Sequence, residues 1–419
     1  MPEIIILINF ILYFATTCYY IKQEGLTIRS FLWSYLTIFT LGSVYLLSTG
    51  LYFKVMDYPH FTPDEEISIL PYLLNYIFCF IFLSLTPRIK PKNFRLNFCY
   101  TKRSRLYILN FLIIEYLYLL LKILQSIIVY FYGFGNFHEL GKEAQNAILY
   151  GGMPWLKYIN YLGKFVNVVI MPYLIFYCFT IYHKGMMKYS IFLSIFILYT
   201  CNSIFVGIVA GSRASMLFGL LNAIFFFVLL YRHIKYKSRK KILIRGIFIM
   251  CILLIITHNI TKERFQDKET MTISENIARY MGEANLNLTY EYFNHLYRHT
   301  NGRCTFGGFY DNEHYNIDYV MGVHPEWFKT AYGCFFIDYG PYIPILLILG
   351  AILILKCLIR RKNMRSRDFM LLFYYYTFCY WLPFNLTIEP FDLFMFFSML
   401  ITPVFLSKIF ENKQPINLK

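Results

Sequence analysis

The strongest constraint on this chain is the recurrence of apolar runs long enough to cross a bilayer, separated by short polar stretches. A hydrocarbon layer about 30 Å thick takes roughly 20 residues of helix to span, and only helices and closed barrels satisfy their own backbone inside it. Runs near 4–21, 31–53, 68–86, 106–133, 160–183, 189–210, 214–231, 244–260, 331–357, 369–385 and 391–408 meet that length. The expectation is an all-α fold, a polytopic transmembrane helical bundle of about 11 spans. The N-terminus lacks the basic region and small-residue cleavage site of a removable leader, so the first run is expected to be a retained span. The whole of 1–419 reads as a single integral membrane domain, interrupted by one long polar loop at 261–330.

Composition supports this and removes one alternative. A chain that is 58% hydrophobic and 15% charged is too apolar for a water-soluble domain of its length. Its net charge of +16 does not point to nucleic acid, because the basic residues lie in short runs between apolar segments. Such runs begin at Arg88, at Arg232 and at Arg360. The intervening loops carry Asp57, Asp64, Glu65, Glu66, Glu139, Glu143 and Glu389. Positive loops stay cytoplasmic, so this alternation predicts an outer N-terminus, a cytoplasmic C-terminus and an outer 261–330 loop. Most cysteines fall inside apolar runs and no CxxC occurs. Cys304 and Cys334 both fall on the expected outer side, where a disulfide and two free thiols are the alternatives.

Polar residues concentrate in two places. Ala210-Gly211-Ser212-Arg213-Ala214-Ser215 interrupts an apolar stretch too long for one crossing, which predicts a tight turn and sets Arg213 at a span end. An arginine at that depth needs an anionic partner or must reach the interface, so it is either an anchor or a functional group. In the long loop, Thr272-Ile273-Ser274-Glu275 has capping-box spacing. Ile277, Met281, Ala284, Leu288, Tyr292 and Leu296 then recur at helical spacing, with Arg279, Asn285, Asn287, Glu291, His295 and Arg298 opposite. This predicts an amphipathic helix lying on the bundle or the bilayer surface with its polar face towards a ligand. Asn301-Gly302 ends it, and Arg303 follows. The loop closes through His314 and His324-Pro325-Glu326-Trp327, and Asp338 stands unusually deep at the head of the next apolar run.

The sequence has no HExxH, Walker loop, GxGxxG or GxSxG pattern. His295, His299, His314 and His324 are irregularly spaced, so no metal site is expected. The spans are largely free of charge, with Lys164 and Asn167 as the main polar exceptions.

Three pieces together resemble the O-antigen polymerases, the oligosaccharide repeat-unit polymerases of bacterial surface polysaccharide assembly. They are Gly211-Ser212-Arg213-Ala214 opening a span, Tyr280-Met281-Gly282 followed by Asn301-Gly302-Arg303-Cys304-Thr305-Phe306, and Phe335-Phe336-Ile337-Asp338-Tyr339-Gly340. The likeness spans roughly Gly211 to Leu355. It implies a metal-independent, cofactor-free glycosyltransferase of the bacterial inner membrane. Such an enzyme moves a growing glycan from undecaprenyl diphosphate to a sugar hydroxyl of the next lipid-linked repeat unit, at the periplasmic face. The partners implied are that donor, that acceptor and membrane lipid, with a chain-length regulator as an open addition. The chain is also similar to O-antigen ligases, which pair outer-loop arginines with a late-loop histidine, although their usual His-Asn or His-Ser is His324-Pro325 here.

This chemistry has candidates in the chain. Guanidinium forks suit a diphosphate leaving group, which makes Arg213, Arg279, Arg298 and Arg303 the candidate diphosphate-binding residues. The acceptor hydroxyl needs a base, for which His324, Glu326, Asp338 and Glu283 are the candidates. Tyr280 and Trp327 are candidates to pack on sugar faces, with anchoring at the membrane interface the alternative reading of Trp327. The rivals are a ligase-like transferase and a polysaccharide transporter or flippase. A transporter's polar groups usually sit at mid-membrane and not in one outer loop.

Overall fold

The structure is a computed structural model that describes residues 2–55, 66–87, 98–133, 136–137, 140, 142–151, 153–210, 213–230, 240, 244, 246, 272–296, 298–306, 329–359, 365–384 and 390–411. In chain order the helices are α1 (Pro2–Glu24), α2 (Ile28–Ser48), α3 (Leu51–Val55), α4 (Leu70–Ser84), α5 (Lys102–Tyr132), α6 (Lys142–Tyr150), α7 (Pro154–Phe165) and α8 (Met171–His183). They continue as α9 (Tyr189–Val209), α10 (Arg213–Leu230), α11 (Ile273–Asn287), α12 (Ala331–Tyr339), α13 (Ile343–Leu358), α14 (Ser366–Phe378) and α15 (Pro390–Phe410). A π-helical turn, Val166–Ile170, joins α7 to α8, and another, Leu288–Phe293, extends α11. No β-strand occurs among the described residues.

Among the described residues six helices, with α7 and α8 counted as one through their π-turn, are long and apolar enough to cross a membrane, or seven if the bent pair α12–α13 counts as one span, so this is a polytopic helical membrane protein. The expected span at 331–357 is corrected by that pair, whose axes differ by 117°. The break lies at Gly340, which takes φ +82° and caps α12 by donating its N–H to Phe336 O at 2.8 Å. Pro341 follows, and its missing N–H cannot continue a helix. The expected span at 244–260 lies almost wholly outside the described residues.

The described residues divide into two compact units: 1–90, 271–362 and 371–394, then 91–270, 363–370 and 395–419. In the first, α2 starts with a capping box in which Ser30 donates its N–H to Thr27 Oγ1 at 3.2 Å and Thr27 donates its own to Ser30 Oγ at 2.9 Å. Thr17 and Thr37 hydrogen-bond at 2.8 Å between α1 and α2. Buried Arg29 ties three helix ends together, pairing with Glu24 at 3.0 Å and donating to Thr86 O at 2.8 Å. The closest packing is between α2 and α11. A Cβ on Gly282 would sit 2.4 Å from Gly42 C and 2.5 Å from Ser43 N, so the two backbones touch. Small residues allow this approach, and dispersion gained between bare backbones drives helix association in lipid.

In the second unit α8 is buried on nearly every side, with Tyr173, Leu174, Ile175, Tyr177 and Cys178 fully enclosed. A helix hydrophobic all round belongs in the centre of a bundle. Tyr177 donates to Cys99 O at 2.7 Å, and Cys99 N–H donates to Phe410 O at 3.0 Å, fastening the head of α5 to the end of α15. Just past α15, Glu411 accepts from Ser366 Oγ and, at 3.5 Å, from Tyr173 Oη. Burial pushes the Glu411 carboxyl up to about 7.

Two outcomes follow. Gly282→Ala should destabilise by about 1–3 kcal/mol through overpacking, read as a lower melting midpoint in detergent. Gly350→Ala, where a Cβ meets nothing within 4 Å, should not lower it. Because the fold favours the protonated Glu411, its contribution is complete below the ordinary carboxylate range and lost as pH rises through about 7. Glu411→Gln should therefore flatten the melting midpoint against pH across that window.

Candidate functional site

The segment that opens the candidate site begins as the sequence predicts. Thr272 caps α11 by accepting from Glu275 N–H at 3.4 Å, while its own N–H donates to Glu275 Oε2 at 2.7 Å. The expectation of a surface helix is corrected beyond that first half. From Gly282 to Tyr292 every residue is buried, those of the supposed polar face included. Asn285, Asn287 and Glu291 are 5%, 0% and 0% exposed. The two asparagines find partners on neighbouring helices, while Asn285 Oδ1 and Glu291 Oε2 are buried without a hydrogen bond. Asn285 Nδ2 donates to Ser43 Oγ at 3.3 Å, Ser43 Oγ donates to Gly282 O at 3.0 Å, and Tyr52 Oη donates to Asn287 Oδ1 at 2.8 Å. The π-turn at Leu288–Phe293 extends this buried stretch, a local departure common at functional sites.

Two of the candidate residues are brought together at the point where α11 goes under. Arg279 Nε donates to Glu283 Oε2 at 2.8 Å, with side chains 27% and 3% exposed. The i,i+4 spacing places them on one helix face. Tyr280 packs its ring 5.6 Å from that of Phe384, an aromatic contact within the unit.

The other two described arginines ride on a turn that Asp338 holds. Asp338 is 0% exposed, and its carboxylate accepts from Thr300 Oγ1, from Cys304 N–H at 2.8 Å and from Thr305 N–H at 2.7 Å. Its backbone O also accepts from Asn301 N–H at 3.1 Å. Asn301 (φ 51°) and Gly302 (φ 95°) make the turn, a left-handed pair that Asn and Gly tolerate. Arg298 and Arg303 are exposed on either side of it. The sequence marked Asp338 as a candidate base, and the structure makes it the anchor of the loop. Cys304 and Cys334 are free thiols that hydrogen-bond to one another. That bond, and then burial, hold the Cys304 thiol well above its usual range.

Other candidates are placed less fully. Arg213 opens α10 in the second unit, and its side chain lies outside the described residues. His324, Glu326 and Trp327 also lie outside them, as do His314 and Asp57. Among the described residues no three His, Cys, Asp or Glu side chains gather as metal ligands do. A mostly apolar cavity in the first unit, bordered by Leu36, Phe39, Thr40, Asn75, Met281 and Asn285, has a volume of about 20 Å³. That is room for about one water and far too little for a sugar ring.

Several polar residues escaped the sequence reading. Lys329, 3% exposed, sets its ammonium 5.8 Å from the Tyr292 ring centre. Its position just before the Thr330 cap of α12 was the available signal. In the second unit the assumption of nearly charge-free spans is corrected by Glu115 and Lys122 in α5, 0% and 6% exposed. Glu115 Oε2 accepts from Asn167 Nδ2 at 3.1 Å and from Asn202 Nδ2, which also donates to Glu115 O at 3.1 Å. Lys122 donates to Gln125 Oε1 at 2.9 Å.

The Asp338 grip gives a direct test. Asp338→Ala should strand two buried backbone N–H groups, a loss of about 1–3 kcal/mol each, and so loosen the turn. Maleimide modification of Cys304 in the detergent-solubilised protein should quicken by roughly tenfold or more. In comparisons with protein-family models, curated proteins and solved structures, nothing matches this chain.

Proposed function

We propose that this protein polymerises undecaprenyl-diphosphate-linked repeat units into an O-antigen or capsule-type polysaccharide at the periplasmic face of the bacterial inner membrane. The observation that carries the reading is the arrangement of arginines in the first unit. Arg279 leaves the surface where α11 becomes buried, and Arg298 and Arg303 stand exposed about a turn pinned by a buried carboxylate. A diphosphate offers oxygens that a guanidinium fork engages bidentately, and its charge grows as the glycosidic bond to the lipid breaks.

In this reading the acceptor sugar hydroxyl attacks the anomeric carbon of the donor glycan. A new C–O bond forms, the bond to the lipid diphosphate breaks, and the hydroxyl proton passes to a base. Of the two described carboxyl candidates, Asp338 is engaged by three donors, which favours Glu283. Engagement of Arg279 by the diphosphate would loosen its ion pair with Glu283 and bring the carboxylate beside the bound substrate. His324 and Glu326 stay candidates for the same role, and Arg213 stays a candidate diphosphate-binding residue. Undecaprenyl carriers and membrane lipid are the partners proposed, with a chain-length regulator as a further one.

A second reading, a lipid-linked glycan transporter, draws support from the polar groups buried within the spans around Glu115, since transporters hold such groups at mid-membrane. Mutant phenotypes separate the two. Arg279→Ala or Arg303→Ala, expressed at normal level, should leave surface lipid carrying single repeat units, with transfer slowed by about 10²–10³-fold. An unchanged long-chain ladder in both would sink the polymerase reading, and loss of every glycan including single units would favour transport or ligation. Thiol labelling from outside intact cells should reach a cysteine at position 298 and miss one at 240.

A further inference from the structure

The second unit carries a polar node that the polymerase reading does not use. Glu115 of α5, Asn167 of the π-turn and Asn202 of α9 come from three different spans and meet through the carboxylate oxygen Oε2. At ~1.5 Å per residue each lies about 10 Å or more from the nearer end of its span. Ser203 adds a hydroxyl, donating to Asn167 Oδ1 at 3.3 Å and to Tyr199 O at 3.0 Å.

The donors and acceptors of this node do not balance. Both amide groups point N–H towards Glu115, whose other oxygen, Oε1, is buried without a hydrogen-bond partner. Asn202 Oδ1 is buried and unpartnered as well. Glu115 makes no ion pair among the described residues. The charged and titratable groups around it are Tyr118 and Lys122 on α5, Lys164 on α7 and Tyr199 on α9. Lys122 is directed to Gln125 and lies 5.5 Å from the centre of the Tyr118 ring. A buried carboxylate with no counter-charge is strongly disfavoured in hydrocarbon, and so is an acceptor oxygen with no donor. One positive charge held at the node would neutralise the carboxylate and give its open acceptor a counterpart.

The backbone around the node is shaped for close approach. A Cβ on Gly163 would fall 2.3 Å from the Tyr118 ring, so only glycine lets α7 press on α5 one turn from Glu115. The π-turn at Val166–Ile170 widens the helix at Asn167. π-bulges inside helices recur at functional sites. From Glu115 a polar stripe continues along the buried face of α5 through Tyr118, Lys122, Gln125 and Ser126.

We propose that Glu115, Asn167 and Asn202 form an intramembrane binding site for a single monovalent cation. The shared chemistry is one positive charge taken up by oxygens, supplied either as a proton or as a desolvated alkali ion of sodium's size. The site is independent of glycan transfer, and its test reads no glycan. A membrane-permeant carbodiimide reacts with a protonated carboxyl, so dicyclohexylcarbodiimide should label Glu115 in the full-length protein in sodium-free choline buffer, as seen by peptide mass spectrometry.

If the ion is sodium, labelling at constant pH should fall about tenfold when sodium reaches ten times its Kd, and potassium should protect less. If the ion is a proton, sodium should have no effect and labelling should persist well above the ordinary carboxylate range before it falls, whereas labelling lost within that range counts against the site. Either result supports the site and identifies its source. Labelling that responds to neither, or no labelling under any condition, would make Glu115 a purely structural carboxyl and overturn the proposal. A second measurement does not depend on the reagent. Glu115→Gln retains volume and an acceptor oxygen, and it should abolish the sodium dependence of the melting midpoint, or, made beside Glu411→Gln, the pH dependence that the Glu411→Gln protein still shows.

Discussion

The first unit rests on two backbones touching at Gly42 and Gly282. In lipid, no hydrophobic effect separates one apolar helix from the acyl chains around it, so helices hold by close contact and by hydrogen bonds made across it. Removing both side chains at the crossing brings Ser43 near enough to bond to the carbonyl of Gly282 and to the amide of Asn285. Those bonds make it tolerable to bury the most polar helix in the chain. Everything that α11 then positions, from the Arg279–Glu283 pair to the π-turn, follows from two missing methyl groups.

Much of the fold was legible, because hydrocarbon thickness imposes a length that a sequence either has or lacks. The capping box at Thr272 and the turn at Asn301-Gly302 were legible for a similar reason, since each is a local bargain among neighbouring residues. What could not be read was the partner of each polar group. Asn285, Asn287 and Glu291 look water-facing on a helical wheel, yet their neighbours come from residues some 240 positions earlier, such as Ser43 and Tyr52. Asp338 was correctly singled out as costly. Its three donors lie over thirty residues away and make it an anchor, which spacing alone could not tell. Glu115 was passed over because one acid in a long apolar run barely changes its hydropathy, and its amide neighbours lie on other spans.

The chain thus carries two kinds of polar interior. In the first unit Asn285 and Asn287 of α11 bond to Ser43 on α2 and Tyr52 on α3. In the second, a carboxyl meets two amides at mid-span. Both interiors leave acceptors over, Asn285 Oδ1 in the first and Glu115 Oε1 with Asn202 Oδ1 in the second. What separates them is charge: neutral amides join two touching helices, whereas an ionisable group stands at a depth where hydrocarbon disfavours its charged form.

The elbow at Gly340 has a mechanical meaning. Asp338 grips the turn that bears Arg303, and α13 sets off only five residues later at a steep angle. His299 lies against the same glycine, its Nε2 3.2 Å from where a Cβ would stand. Turn, elbow and long arm are therefore tied within a handful of residues, and the direction in which the apolar arm departs is set beside the same carboxylate that holds the arginine-bearing turn.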